Sequence, residues 1–224
     1  MGVRHRVQPE RLANGELQYY AAHRPENARV ENGRLIVEAR AEALADRPDW
    51  GGQRYSSARL VTRGRGAWTY GFFEVRAKLP CVLGTWPAAW LLPSTRDPDF
   101  SNGEIDIFEH VAHQAGGVRH SVHTKRRNFR RGNHPTRATR VPDACEAFHT
   151  YQLHWTPDEI AMGVDGRRTF SYRRKLLQDW PFDEPFYLIV NLAVGGHWAG
   201  SQGVDSEGLP ARLEVDYVRI YGPR

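Results

Sequence analysis

Arg212-Leu-Glu-Val-Asp-Tyr-Val-Arg-Ile-Tyr221 is the stretch from which the fold can be read. A two-residue period puts Leu213, Val215, Tyr217 and Arg219 on one face, and Glu214, Asp216, Val218 and Ile220 on the other. Both faces carry apolar character, as in a strand that belongs to a layered sheet. Outward from it, residues 34–40, 56–62, 70–79, 148–155 and 186–194 are also rich in β-branched and aromatic residues. Asn32-Gly33 and Asp165-Gly166 supply the positive φ pair of type I′ hairpin turns between such runs. A helical turn or two is expected only within 173–180, closed by Pro181. Many short strands with almost no helix predict an antiparallel sandwich or barrel. No linker or repeat interrupts residues 1–224, which read as a single domain.

Composition narrows the classes. The 224 residues are 40% hydrophobic and 25% charged, which excludes a disordered chain. No apolar run is long enough to span a membrane. Met1 to Glu10 lacks the apolar core of a secretory signal. A net charge of +5 does not by itself call for nucleic acid. Cys81 and Cys145 could form one bridge or remain two buried thiols; with no disulfide-scaffold pattern, thiols are the preferred reading. Seven tryptophans suggest large core fillers or flat platforms for a ligand.

Gly103-Glu-Ile-Asp-Ile-Phe-Glu-His110 carries the chemistry. A Glu-x-Asp-x-x-Glu pattern arises by chance about 0.05 times in a chain of this composition. Ile105, Ile107, Phe108 and Val111 make this a buried strand, where three carboxylates are costly without a task. On a regular strand Glu104 and Asp106 share a face and Glu109 takes the other. A β-bulge at Ile107–Phe108 returns Glu109 to their side. The two glutamates can then lean to the ~5–5.5 Å carboxyl separation of a retaining glycosidase, with Asp106 biasing which one holds the proton. A solvent-facing polar ladder and a cation site are the plainer alternatives. His120 and His123, three apart, face opposite ways and make a poor metal pair. The arginine-rich stretch 125–140 reads as a solvated loop, or else as a basic wall beside a ligand groove.

The segment 103–109 resembles the active-site strand of glycoside hydrolase family 16, in the bulged form of its laminarinase-like branch. Tyr70-Gly-Phe-Phe-Glu-Val-Arg-Ala-Lys-Leu-Pro80, Gly84-Thr-Trp-Pro-Ala-Ala-Trp-Leu-Leu92, Asn191-Leu-Ala-Val-Gly-Gly-His-Trp198 and Val215-Asp-Tyr-Val-Arg-Ile-Tyr221 extend the likeness from about Glu16 to the end of the chain. The resemblance implies an all-β, concanavalin-like jelly roll of two curved antiparallel sheets with a concave substrate cleft. It implies Glu104 as nucleophile, Asp106 as its assistant and Glu109 as general acid/base in endo-hydrolysis of β-1,3-glucan. Mixed-linkage glucan, a β-galactan and a non-catalytic lectin-like role remain the alternatives. By the same resemblance Trp86, Trp90, Trp198, His123, Arg59 and Asn27 bind sugar, with His123 near Glu109. His110, His149 and His154 read as packing or surface residues. No cofactor is required. A structural calcium is implied through Asp216 and an N-terminal segment that Met1 to Ala13 do not resemble. The resemblance further implies a secreted or periplasmic monomer that takes a polysaccharide or oligosaccharide, with no nucleic-acid or membrane partner.

Overall fold

The computed structural model describes residues 14–95, 99–114, 116–175 and 179–222. Strands are numbered along the chain. One sheet has the spatial order β13 (Arg167–Arg173), β12 (Glu159–Val164), β11 (His149–Trp155), β6 (Gly71–Lys78), β15 (Ala211–Tyr221), β3 (Arg34–Ala39) and β2 (Ala28–Glu31). The second has the order β10 (Thr136–Arg140), β9 (Gly117–His123), β8 (Glu104–His110), β7 (Thr85–Pro93), β14 (Phe186–Val194) and β5 (Arg59–Val61). Pairing within both is antiparallel. A short parallel pair, β1 (Gln18–Tyr20) with β4 (Tyr55–Ser57), is set apart from them. The two large sheets make the jelly-roll sandwich that the sequence predicts.

Alternation explains how the layers close. Along β6, Phe73, Val75 and Ala77 are buried and the residues between them half-buried. They meet Leu91 of β7, Ile105 of β8 and Leu153 of β11 in one continuous core. Both predicted hairpins form: Asn32 and Gly33 take φ of 51° and 77°, Asp165 and Gly166 take 51° and 76°. The alternation predicted across 212–221 holds only as far as Val215. A bulge at Asp216, where Val215 pairs with Ala77 and Tyr217 already pairs with Arg76, exchanges the faces. Tyr217 therefore turns outward and donates to Glu74 (3.0 Å), while Ile220 packs on the core.

Other expectations need correction. The stretch 125–140 is not all loop, because Thr136–Arg140 pairs with β9 as the edge strand β10. The helical turn expected within 173–180 falls partly on 176–178, outside the described residues. A helix that the sequence reading missed, α1, covers Gly196–Ala199, and single 3-10 turns cover Phe129–Arg131 and Gly200–Gln202. Cys81 and Cys145 are not free thiols: they form a disulfide, with Cα atoms 5.8 Å apart. The Leu79 N–H donates to the Ala144 carbonyl (2.9 Å) and aligns the two segments, a long-range proximity that spacing in sequence does not reveal.

Candidate active site

β8 lies inside the six-stranded sheet, so its two faces are committed to core and cleft. Gly103 opens it with φ of 90°, and a Cβ there would lie 2.7 Å from the Phe182 ring, so a larger residue would collide on entry. Asp106 pairs with Ser121 and Glu109 with Arg119: three steps on β8 against two on β9. On the other side Phe108 pairs with Ala89 and Asp106 with Trp90, which fixes the extra residue at Ile107. The predicted bulge is present. Ile107 and Phe108 are both fully buried although adjacent, and Phe108 packs against Tyr151 of the opposite sheet (4.5 Å between ring centroids). Glu104, Asp106 and Glu109 consequently line one cavity of ≈ 300 Å³ with Trp86, Trp90 and Arg59. An adjoining lobe of ≈ 410 Å³ adds His123, Arg119, His134 and Trp198.

The irregularity is held by a side chain that sequence reasoning set aside. His120, fully buried on β9, donates through Nδ1–H to the Ile107 carbonyl (2.6 Å). A carbonyl displaced from the ladder by a bulge needs such a partner, since leaving it buried and unpaired costs about 1–3 kcal/mol.

His123 is in the cleft, in the lobe that Glu109 also lines, and meets the other two carboxylates. Its Nε2 lies 3.1 Å from Asp106 Oδ2 and 3.7 Å from Glu104 Oε1. The Phe129 N–H donates to its Nδ1 (3.3 Å), so the neutral ring carries its proton on Nε2, facing the carboxylates. Phe129 opens the 3-10 turn of the arginine-rich stretch, and that stretch therefore sets the tautomer of a cleft histidine. His134 stacks on the same ring (4.7 Å, 19°), and burial lowers its pKa to about 4, which keeps it neutral.

Burial dominates the electrostatics. It raises Glu109 to about 8, with Asp106 adding to the shift and the Trp86 Nε1–H (3.2 Å from Oε1) opposing it. Burial also raises Asp106 to about 8. Glu104 is pushed well up by burial and by the neighbouring Asp106 charge, and His123 and Arg59 act against that. Three buried carboxyls lining one cavity cannot all ionise, so the cluster holds protons at neutral pH.

The remaining predicted site residues divide. Trp86 and Trp90 share the cleft face, and Trp90 Nε1–H donates to Asn191 Oδ1 (2.7 Å). Arg59 stacks its guanidinium over Trp90 (4.8 Å). Trp198, on α1, meets Trp86 edge-on at 5.2 Å. Asn27 is not in the cleft: it is fully buried and donates to Ser56 Oγ (2.8 Å) and the Glu38 carbonyl (3.0 Å), a structural role. Asp216 pairs with Arg76, and among the described residues no cluster of ligating side chains includes it. A calcium ion takes six to eight oxygens; the Asp216 carboxylate is engaged by Arg76, and the N-terminal segment expected to complete such a site, Met1 to Ala13, lies outside the described residues. The cleft also recruits Tyr20, Phe100, Phe129 and Asn191, which the sequence reading missed, and Arg130 from the stretch it set beside a possible ligand groove. Asn191 was within reach of it, because it opens the segment 191–198 on which the family resemblance partly rests.

A bulged carboxylate strand, roofed by tryptophans on a jelly roll, defines an enzyme that cleaves glycosidic bonds. The family model for glycosyl hydrolases family 16 matches residues 16–219, and the chain belongs to that family. A β-glucanase of Rhodothermus marinus is 50% identical over 221 residues, covering 93% of this chain and 74% of that one. The structure of SCLam, a non-specific endo-β-1,3(4)-glucanase of the family, superposes with a TM-score of 0.92 at 49% identity, over 96% of this chain and 81% of that one. A glutamate-to-serine variant of SCLam presents 1,3-β-D-cellobiosyl-glucose at its active site. The laminarinase from Rhodothermus marinus gives a TM-score of 0.87 at 49% identity, over 93% and 85% of the two chains. This chain is a glycoside hydrolase of the endo-β-1,3-glucanase type.

Proposed function

We propose that the chain hydrolyses neutral β-1,3-linked glucan, with net retention, through Glu104 as nucleophile and Glu109 as general acid/base. The bulge at Ile107, which brings three carboxyls of one strand into a single tryptophan-walled cavity, carries this reading. In the first step a Glu104 oxygen bonds to the anomeric carbon, the glycosidic C–O bond breaks, and Glu109 gives its proton to the departing oxygen. In the second, water attacks that carbon, Glu109 takes a proton from the water, and the Glu104 ester bond breaks. In this mechanism Asp106 holds a proton beside Glu104, which helps Glu104 ionise for attack against the burial that disfavours its charge. The Nε2–H of His123 faces the same pair and acts in the same direction.

Substrate charge follows from where the basic residues go. Of the cations in 125–140, Arg130 lines the cleft, Arg127 pairs with Asp179 (3.3 Å), and Arg137 and Arg140 lie along β10 beside a separate groove. Arg130 is the one cation of that stretch lining the cleft among the described residues, and the cleft's other arginines, Arg59 and Arg119, act on Glu104 and Glu109, which supports uncharged glucan over a sulfated galactan. Trp86 and Trp90 offer apolar faces for glucose rings. The Cys81–Cys145 bridge supports a working life outside a reducing cytoplasm.

The test is a parallel digest of laminarin, barley β-glucan, lichenan, agarose and carrageenan, with products identified by chromatography and the first-formed anomer by NMR. Cleavage of the β-1,3-containing glucans with the β-anomer released first is expected. Preferential cleavage of agarose or carrageenan, or release of the α-anomer, overturns the proposal. Glu104→Gln and Glu109→Gln should each lower kcat by at least about 10²–10⁴-fold while oligosaccharide binding persists.

A further inference from the structure

The disulfide lies against a third donor. His110 follows Glu109 on β8, faces the core and is fully buried. Its Nε2 is 3.5 Å from Cys81 Sγ, and the ligating atoms of Cys81, His110 and Cys145 all lie within 4.8 Å of one another. In a tetrahedral zinc site, bond lengths near 2.3 Å to sulfur and 2.05 Å to nitrogen place those two ligand atoms about 3.6 Å apart. The observed spacing matches.

The imidazole is also in the state a metal needs. Its Nδ1–H donates to the Gly117 carbonyl (2.9 Å), which fixes the tautomer and leaves the Nε2 lone pair aimed at sulfur. The other donor cluster, Glu104, Asp106 and His123, is the reverse case: there Nδ1 accepts the Phe129 N–H, and the metal-facing Nε2 carries the proton. The Leu79 N–H to Ala144 carbonyl bond holds the two cysteine segments together without help from the sulfurs. Cys81 is exposed, which gives a cation access and leaves a fourth position for water.

We propose that Cys81, Cys145 and His110 form a reductant-gated site for a tetrahedral, thiolate-seeking divalent cation of the zinc class. A phosphine or a small thiol opens the bridge. With a phosphine, the disulfide and one water yield two thiols and the phosphine oxide; with a thiol, two molecules are oxidised to their own disulfide. The dithiol then binds the cation with loss of two protons, and the two thiolates neutralise its charge. The chain thus has a cross-link at one place in either redox state, covalent when oxidised and coordinate when reduced.

The experiment uses the whole chain, reduced with a phosphine, freed of it under anaerobic conditions, and titrated with Co²⁺ and then Zn²⁺. One equivalent of Co²⁺ should give sulfur-to-cobalt charge-transfer absorption, which only these two cysteines can supply. One equivalent of Zn²⁺ should remove it and raise the Tm of the reduced chain. The oxidised chain and Cys81→Ser should lack the two-thiolate spectrum, and His110→Gln should bind at least about tenfold more weakly. Absence of the absorption in a reduced chain that circular dichroism shows folded overturns the proposal. So does loss of the fold on reduction, or an affinity that His110→Gln leaves unchanged, with Cys145→Ser deciding the thiolate count should the His110 variant not fold.

Discussion

At the scale of the residue, the cleft depends on carboxyls that the fold keeps protonated. Burial lifts Glu109 to about 8, so it stays an acid through neutral pH and activity should fall as pH rises through that value. The Trp86 hydrogen bond favours the ionised form, so Trp86→Phe should raise the pKa further and move the alkaline limb of kcat/KM to higher pH. An unchanged limb would show that the contact has no electrostatic weight. The same burial has a stability consequence with a definite sign. Between the ordinary carboxylate value of 4.5 and about 8 the folded chain binds more protons at Glu109 than the unfolded chain does. Stability is therefore lost as pH rises through that window. Glu109→Gln, neutral at every pH, should raise Tm by a gain that is small near pH 4.5 and grows toward pH 8. A difference independent of pH would contradict this origin.

At the scale of the element, the bulge on β8 was legible because two adjacent apolar residues, Ile107 and Phe108, interrupt an alternating strand just where a carboxylate must change face. Its support was not legible. His120 and His123 were placed on opposite faces, but nothing in the spacing says that one caps Ile107 and the other meets Asp106; those contacts depend on the register between β8 and β9. His120→Ala should lower kcat more than tenfold with KM little changed, and His120→Asn, which returns an N–H near Nδ1, should recover part of the loss. Parallel loss in both variants, with KM rising alike, would instead mean general disruption of the cleft. The same dependence on register hid Asn27, whose partners Ser56 and Glu38 lie on other strands, and the parallel pairing of β1 with β4. The bulge at Asp216 went unseen because no side chain in 212–221 breaks the pattern as Ile107–Phe108 does.

At the scale of the whole molecule, the disulfide joins residues 64 apart, from the segment just after β6 to the turn before β11, two strands that are neighbours in one sheet. By loop-closure entropy such a bridge contributes about 4 kcal/mol. Its loss in Cys145→Ser should lower Tm by roughly 10 °C in calorimetry, at about 2–4 °C per kcal/mol for a chain of this size. A fall of less than a degree would mean that backbone pairing alone fixes the two segments.

Among the described residues β10 and β13 each pair with one neighbouring strand and meet each other through the Thr139–Thr169 hydroxyl bond (2.8 Å), and the arginines of 125–140 acquire a second meaning there. Arg137 and Arg140 stud β10, and Arg167, Arg168 and Arg173 stud β13, where Glu159 pairs with Arg168 and Arg173 and leaves the balance at this rim basic. A second copy offering its own rim would bring like charge against like charge before any backbone pair could form. The basic residues there therefore act against edge-to-edge pairing between copies.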